Sequence, residues 1–212
     1  MTKALILGAS GQIARHVVTD LSADPGMRQT LFLRSARKLH GDLPANARVM
    51  QGDVLDADAL IGAVAGQDIV YANLTGDDID VQAEAIIAAM QRAGLKRLVF
   101  VLSLGIYDEL PDRFQQWNSR EIGEYLPPFR RAADAIEASD LDYTILRPAW
   151  LQDEDEIDYE TTEKGEVFKG TEVSRRSVAD LIALLIRDPS RHIKANLGVN
   201  KPGTDGDRPS FY

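Results

Sequence analysis

An open, doubly wound parallel sheet with helices on both faces, a Rossmann-like α/β fold, is what this sequence predicts, and three observations carry it. Short apolar runs alternate with helical patterns along nearly the whole chain. The connections between successive runs are too long for hairpins, so parallel strands with helical crossovers are the expected solution. The first run ends in a glycine turn that opens a helix. A length of 212 residues suits one domain, 1–212, with a core of its own, and is short for two.

KALILG (3–8) is a short apolar run ending at glycine, as a buried parallel strand does. From Gln12 to Leu21 the apolar residues Ile13, Val17, Val18 and Leu21 recur at helical spacing. TLFLRS (30–35) and ARVMQGD (47–53) are the next two strands. A helix follows from Asp56, its expected N-cap, to about Val64. DIVYANL (68–74) is a fourth strand, and the helix over 81–94 closes at Gly94. KRLVFVLS (96–103) is the fifth strand, a helix covers 130–139, and DYTILRP (142–148) is the sixth strand, stopping by Pro148. An amphipathic helix over 174–188 and a last strand, NLGV (196–199), complete the reading. The stretches 104–129 and 150–172 are expected to be substrate-side loops. The acidic run DEDEID (153–158) reads as a solvated loop rather than a cation site.

Composition narrows the function. The net charge of -9 argues against nucleic acid or an anionic membrane as the main partner and leaves a small-molecule substrate. With no cysteine, disulfides, thiolate metal sites and cysteine nucleophiles are excluded. His16, His40 and His192 are isolated in sequence, and no metal site is expected. No apolar run approaches the roughly 18–20 residues that span a bilayer, and no signal-peptide pattern opens the chain. The expectation is a cytoplasmic protein, with monomer and homodimer both compatible.

The glycine turn GASGQIA (8–14) has the physics of a dinucleotide site. Gly8 allows the sharp turn, Gly11 lets backbone approach a pyrophosphate, and Ala14 lets the helix pack closely on the strand. Ser10, Gln12 and Ile13 complete the turn, and the helix N-terminus offers unpaired N–H groups to phosphate. A tight structural turn is the competing reading of the same glycines. An NAD site would carry an acid at the end of the second strand. Here Arg34 and Ser35 stand there, with Arg37 and Lys38 nearby and no acid before Asp42. A guanidinium matches a 2′-phosphate in charge and fork geometry, so NADP(H) is expected rather than NAD(H). Asp53, with Val54 beside it, is placed to meet the adenine edge, or else to cap its loop.

GASGQIAR, QGDVLD, AGLKRLVFVLS and SDLDYTILRP, in this order, resemble the atypical short-chain dehydrogenase/reductases, in particular the NmrA-like NAD(P)-binding group. That group includes reductases that take biliverdin and flavins, and proteins that bind the cofactor without turnover. The resemblance implies that Asn73, Leu74 and Thr75 pass beside the cofactor's ribose and that Ser103 faces the nicotinamide. It also implies that Pro148, Ala149 and Trp150 line the nicotinamide pocket. Ser103 fits independently, because ligands of doubly wound folds bind outside the carboxyl ends of the strands.

Members of full activity carry a Tyr-x-x-x-Lys pair on the helix before the sixth strand. Counting back from SDLDYTILRP, the counterpart is Tyr125-Leu-Pro-Pro-Phe129: the tyrosine is present and the lysine is not. Pro127 and Pro128 read as the first turn of a helix, which leaves Tyr125 ahead of it. Arg131 and its neighbour Arg130 could supply positive charge near the ribose, without lysine's geometry. Tyr107, four residues beyond Ser103, is the rival proton donor. With neither tyrosine engaged, an easily reduced acceptor takes its proton from water. Phe114, Trp117 and Trp150 suggest an aromatic wall for a planar substrate, or else local packing. Two functions remain open: an NADPH-dependent oxidoreductase acting on a small planar or carbonyl acceptor, and a non-catalytic NADP(H) sensor.

Overall fold

Backbone groups inside a hydrophobic core must pair with one another, and the apolar runs of this chain do so as a parallel sheet. The computed structural model describes residues 1–39 and 41–212; His40, among the histidines considered above, lies outside the described residues. The first half contains β1 (Thr2–Leu7), α1 (Gln12–Ser22), β2 (Met27–Leu33), β3 (Ala47–Gln51), α2 (Ala57–Val64), β4 (Ile69–Ala72) and α3 (Ile79–Ala93). The second contains β5 (Arg97–Val101), α4 (Asp112–Ile122), α5 (Leu126–Ala138), β6 (Asp142–Pro148), β7 (Trp150–Gln152), β8 (Glu160–Glu163), β9 (Glu172–Ser174), α6 (Arg175–Arg187) and β10 (Ala195–Asn200). The main sheet has the order β3-β2-β1-β4-β5-β6-β10-β8. All its pairings are parallel except β10 with β8. The fold is a single Rossmann-like α/β domain, as the alternating pattern predicts.

Strand pleating divides the core between two faces. Ala4, Ile6, Tyr71 and Val99 pack under α1 and α6. Leu5, Leu7, Val70, Leu98 and Phe100 pack under α2, α3 and α5. Each of these residues is fully buried, which is why the strands read as unbroken apolar runs. Asp56 caps α2 by accepting from the N–H groups of Asp58 and Ala59, both at 3.1 Å. Gly94 closes α3 in the left-handed conformation, φ +69°.

Three differences from the sequence reading have local causes. β2 begins at Met27 and stops at Leu33, so Arg34 and Ser35 lie beyond the strand. α5 begins at Leu126, four residues before the expected start, because the two prolines fill its first turn and need no N–H partner there. The stretches read as loops hold structure of their own. α4 occupies 112–122, while β7 and β9 form a two-stranded parallel sheet and β8 joins the main sheet. α4 buries only Phe114, Trp117 and Asn118. β7, β8 and β9 are three or four residues each and largely polar, so distant partners rather than local pattern form them.

Candidate cofactor and acceptor site

In the order β3-β2-β1-β4, the chain reverses direction across the sheet between β1 and β4, and ligands of such sheets sit outside the carboxyl ends at that point. A cleft of about 470 Å³ lies there. Gly8, Ser10 and Gly11 from the turn after β1 line it, with Arg34 beyond β2, Asp53 and Val54 beyond β3, and Asn73, Leu74 and Thr75 beyond β4. Nine residues singled out from the sequence are thus brought to one crevice. Lys38, noted near Arg34 in the sequence, also lines it, as do Phe32, Gly52 and Gln82, which sequence reasoning missed. A larger recess between α4 and residues 207–208, about 790 Å³, and one of about 490 Å³ at the amino ends of β1–β3 lack the glycine turn.

Gly8 holds φ +73°, and a Cβ there would lie 2.2 Å from the Asn73 carbonyl oxygen. Only glycine fits that backbone beside β4. A Cβ on Gly11 would lie 1.9 Å from the Asn73 amide nitrogen, so this glycine admits the Asn73 side chain over the turn as well as a ligand's approach. Gly52 similarly makes room for the Phe32 ring, at 2.6 Å from its virtual Cβ.

The donor set fits a dinucleotide phosphate. α1 begins at Gln12 with Gly11 as N-cap, no capping side chain and no acid in its first turn, so its first N–H groups face an anion uncompensated. Ile13 is buried and anchors that turn in the core; Gln12 is exposed. Arg34 and Lys38 stand on the rim of the cleft, and neither is paired with a carboxylate among the described residues. Ser35 precedes the short turn over Ala36–Lys38 and places no capping bond there. Asp53 does cap its loop, accepting from Leu55 N–H at 3.0 Å, while also lining the cleft.

Further along the same edge, Ser103 follows β5 and donates to the Leu104 carbonyl at 3.1 Å. It is half-buried. Pro148 ends β6, and Ala149 and Trp150 follow it; Pro148 and Ala149 are buried and Trp150 is half-buried. The Trp150 indole donates to Asn118 Oδ1 at 2.9 Å.

Tyr107, the rival proton donor of the sequence reading, is not among the residues lining the cleft. Its hydroxyl accepts from Asn196 Nδ2 at 2.8 Å. Asn196 is in register with Ile145, three residues short of Pro148 on β6, so that hydroxyl lies back from the carboxyl edge. Its ring is flanked by Lys164 Nζ at 4.4 Å and the Arg130 guanidinium at 4.6 Å. Burial, then the Glu137 carboxylate, raise the phenol further above its ordinary pKa. A proton donor at neutral pH needs the opposite shift.

Tyr125 sits on the turn before α5, exposed, and the neighbouring Glu124 carboxylate raises its pKa. It does not line the cleft. Phe129, at the position that the resemblance implies for the lysine, packs against the core. Arg131 is turned to Asp80 on α3 at 2.6 Å rather than into the cleft. At the positions that the resemblance implies for the Tyr-Lys pair, the chain has an exposed tyrosine and a phenylalanine at the start of α5.

Behind these residues lies a buried polar network that sequence reasoning missed. The Arg147 guanidinium pairs with the Glu109 carboxylate, both side chains almost fully buried. Glu109 also accepts from the N–H groups of Gly105 at 3.0 Å and Tyr107 at 2.8 Å. Arg147 donates to Asn196 Oδ1 at 2.8 Å. The loop after Ser103 is therefore clamped onto β6 and β10. A charged residue inside the otherwise apolar strand DYTILRP was the one available signal.

The model of the NAD(P)H-binding family matches residues 8–189. A Rossmann-fold NAD(P)-binding family protein from Shigella flexneri is 57% identical, with all of both chains covered and a TM-score of 0.88. A short-chain dehydrogenase/reductase from Veillonella parvula, solved in complex with NADP, is 28% identical over 99% of each chain, with a TM-score of 0.89. An uncharacterized sugar epimerase of Bacillus subtilis is 29% identical over 72% of this chain and 73% of its own. No helix among the described residues is long and apolar enough to cross a membrane. With the glycine turn, the reversed strand order and the open helix N-terminus all at one crevice, the chain belongs to the NAD(P)H-binding family, among the atypical short-chain dehydrogenase/reductases.

Proposed function

We propose that the protein is an NADPH-dependent oxidoreductase reducing a small planar or carbonyl-bearing acceptor that needs no dedicated protein acid. The observation that carries this is the pairing of an intact dinucleotide cleft with a dismantled Tyr-Lys site. Arg34, with Lys38, supports NADP(H) over NAD(H): both are cations on the adenosine side of the cleft, where a 2′-phosphate would lie. When bound, NADPH supplies hydride. The chain's own residues do the rest: the turn at 8–13 holds the pyrophosphate and Asn73–Thr75 flank the ribose. Ser103 turns its hydroxyl from Leu104 to the acceptor's oxygen, and Pro148 and Ala149 exclude water beside it. Flavins and quinones suit such a site, because water can protonate their reduced forms.

The test is NADPH oxidation against a panel of flavins, quinones and simple carbonyls, with Ser103→Ala alongside. Turnover with flavins or quinones, reduced in the Ser103 variant, is the expected result. Tight NADPH binding without turnover across the panel would favour a cofactor-binding sensor. That second reading is supported by the absence of the lysine and by the engagement of the Tyr107 hydroxyl with Asn196.

A further inference from the structure

The acceptor side of the molecule holds an aromatic cluster that the cofactor reading does not use. Trp117 from α4 and Trp150 from β7 meet with ring centroids 4.8 Å apart. Tyr212 sets its ring edgewise on both, 5.2 Å from Trp117 and 5.1 Å from Trp150. Trp117 belongs to the core cluster containing Val101, Leu104 and Ala149, and Trp150 packs against that cluster; Val101 and Leu104 flank Ser103, and Ala149 follows β6. The pair also reaches the Ser103 loop through Asn118. This residue is fully buried, accepts from the Trp150 indole, and has no partner for its amide nitrogen among the described residues. That nitrogen lies against Gly105, where a Cβ would come within 2.6 Å of it.

We propose that the solvent-side face of the Trp117–Trp150 pair is the binding site for the acceptor's planar ring, and that Tyr212 is a displaceable occupant of it. Tyr212 has the properties of a stand-in ligand. Its ring makes edge contacts of the kind a planar ring would make, yet it remains 54% exposed, as does Phe211 beside it at 48%. The segment is tied down one step back, where Ser210 donates through N–H at 2.6 Å and Oγ at 2.9 Å to the Glu172 carboxylate. Beyond Ser210, Tyr212 is held by its ring contacts and by one backbone bond, from its N–H to the Pro209 carbonyl at 3.2 Å, so its ring can leave the tryptophans while Ser210 holds. Without Tyr212, Trp117, now only 8% exposed, would lose one of the rings covering it. Two indoles and a tyrosine edge meeting at this face set the ligand class as a flat aromatic ring. A ligand competing with an internal occupant binds more weakly by the fraction of time its site is open.

This inference rests on the reductase reading, and the test separates the two. Both of the chain's tryptophans lie in the cluster, so tryptophan emission reports ring binding without turnover. The protein and its Tyr212→Ala variant are titrated with riboflavin and with a naphthoquinone, and NADPH affinity is measured on each. The expected result is quenching by both rings, a dissociation constant about three- to tenfold lower in Tyr212→Ala, the weight of one or two aromatic edge contacts, and unchanged NADPH affinity. Glu172→Gln, which loosens the tie at Ser210, shifts ring affinity the same way by less. Weaker or unchanged ring binding in Tyr212→Ala overturns the proposal, as does absence of quenching in both forms. Tighter ring binding in the variant with no NADPH oxidation by either form would instead remove the reductase reading and leave the ring site standing.

Discussion

The cofactor half and the proposed acceptor half of this molecule are built by different means. Residues 1–80 make their cleft mostly from backbone: a left-handed glycine, a helix N-terminus and the ends of four strands. Residues 101–212 make theirs from side chains that are remote in sequence. Glu109 meets Arg147 across 38 positions, Asn196 meets Tyr107 across 89, and Ser210 meets Glu172 across 38. A backbone-built site tolerates many side chains but few insertions or Cβ atoms. A side-chain-built site can be altered residue by residue, which suits the part of a reductase that chooses its acceptor.

The largest effect expected from breaking this contrast is at the buried ion pair. Glu109→Gln leaves the Arg147 guanidinium buried without its counter-charge, a loss of about 3–5 kcal/mol, read as a lower urea midpoint. Replacing both partners with methionine should recover only part of it: the desolvation cost of both charges is removed, while the Gly105 and Tyr107 N–H groups lose their acceptor. In the cofactor half, Gly8→Ala forces a Cβ against the Asn73 carbonyl at a positive φ, at a cost of about 2 kcal/mol, with NADPH affinity falling in parallel. Arg34→Ala should weaken NADPH about tenfold or more, the scale of one charge-assisted contact, with NADH nearly unaffected. Equal losses for the two nucleotides would remove the 2′-phosphate assignment.

The smallest effect lies between the halves, where Arg131 on α5 holds Asp80 on α3. The hydrogen bond from Arg131 keeps the Asp80 carboxyl below its usual range, partly offset by desolvation. A carboxylate depressed in the folded state stabilises it above the unfolded pKa, and that contribution fades as pH falls through the folded value. Asp80→Asn should therefore cost under about 1 kcal/mol at neutral pH, as expected for a solvent-screened pair. The two proteins should converge in stability as pH falls through the folded value, which lies below the unfolded value of about 3.9. A difference that persists at low pH would mean that Asp80 acts through something other than its charge.

Legibility in the sequence followed the range of the interactions. Asp56 and Gly94 were read as caps because a cap depends on residues within one turn. GASGQIA was read because its glycines, strand and helix are contiguous. Pro127 and Pro128 were correctly placed in a first turn, since missing N–H groups matter only to the local helix. Tyr107 could not be judged, because its partners Asn196, Lys164 and Arg130 come from three distant segments. β7, β8 and β9 escaped because strands so short and polar exist only by pairing with distant strands.

By itself the sequence determined the fold class, the glycine turn and the cation that stands where an NAD-binding acid would be, because periodicity, turn chemistry and charge are local properties. Tertiary structure alone decided that Phe129 and Arg131 turn away from the cleft and that Glu109 and Arg147 clamp the loop after Ser103. It also decided that Tyr212 comes to rest on the two tryptophans. Those outcomes depend on which side chains meet after the strands are ordered, and strand order brings together residues that no local pattern links.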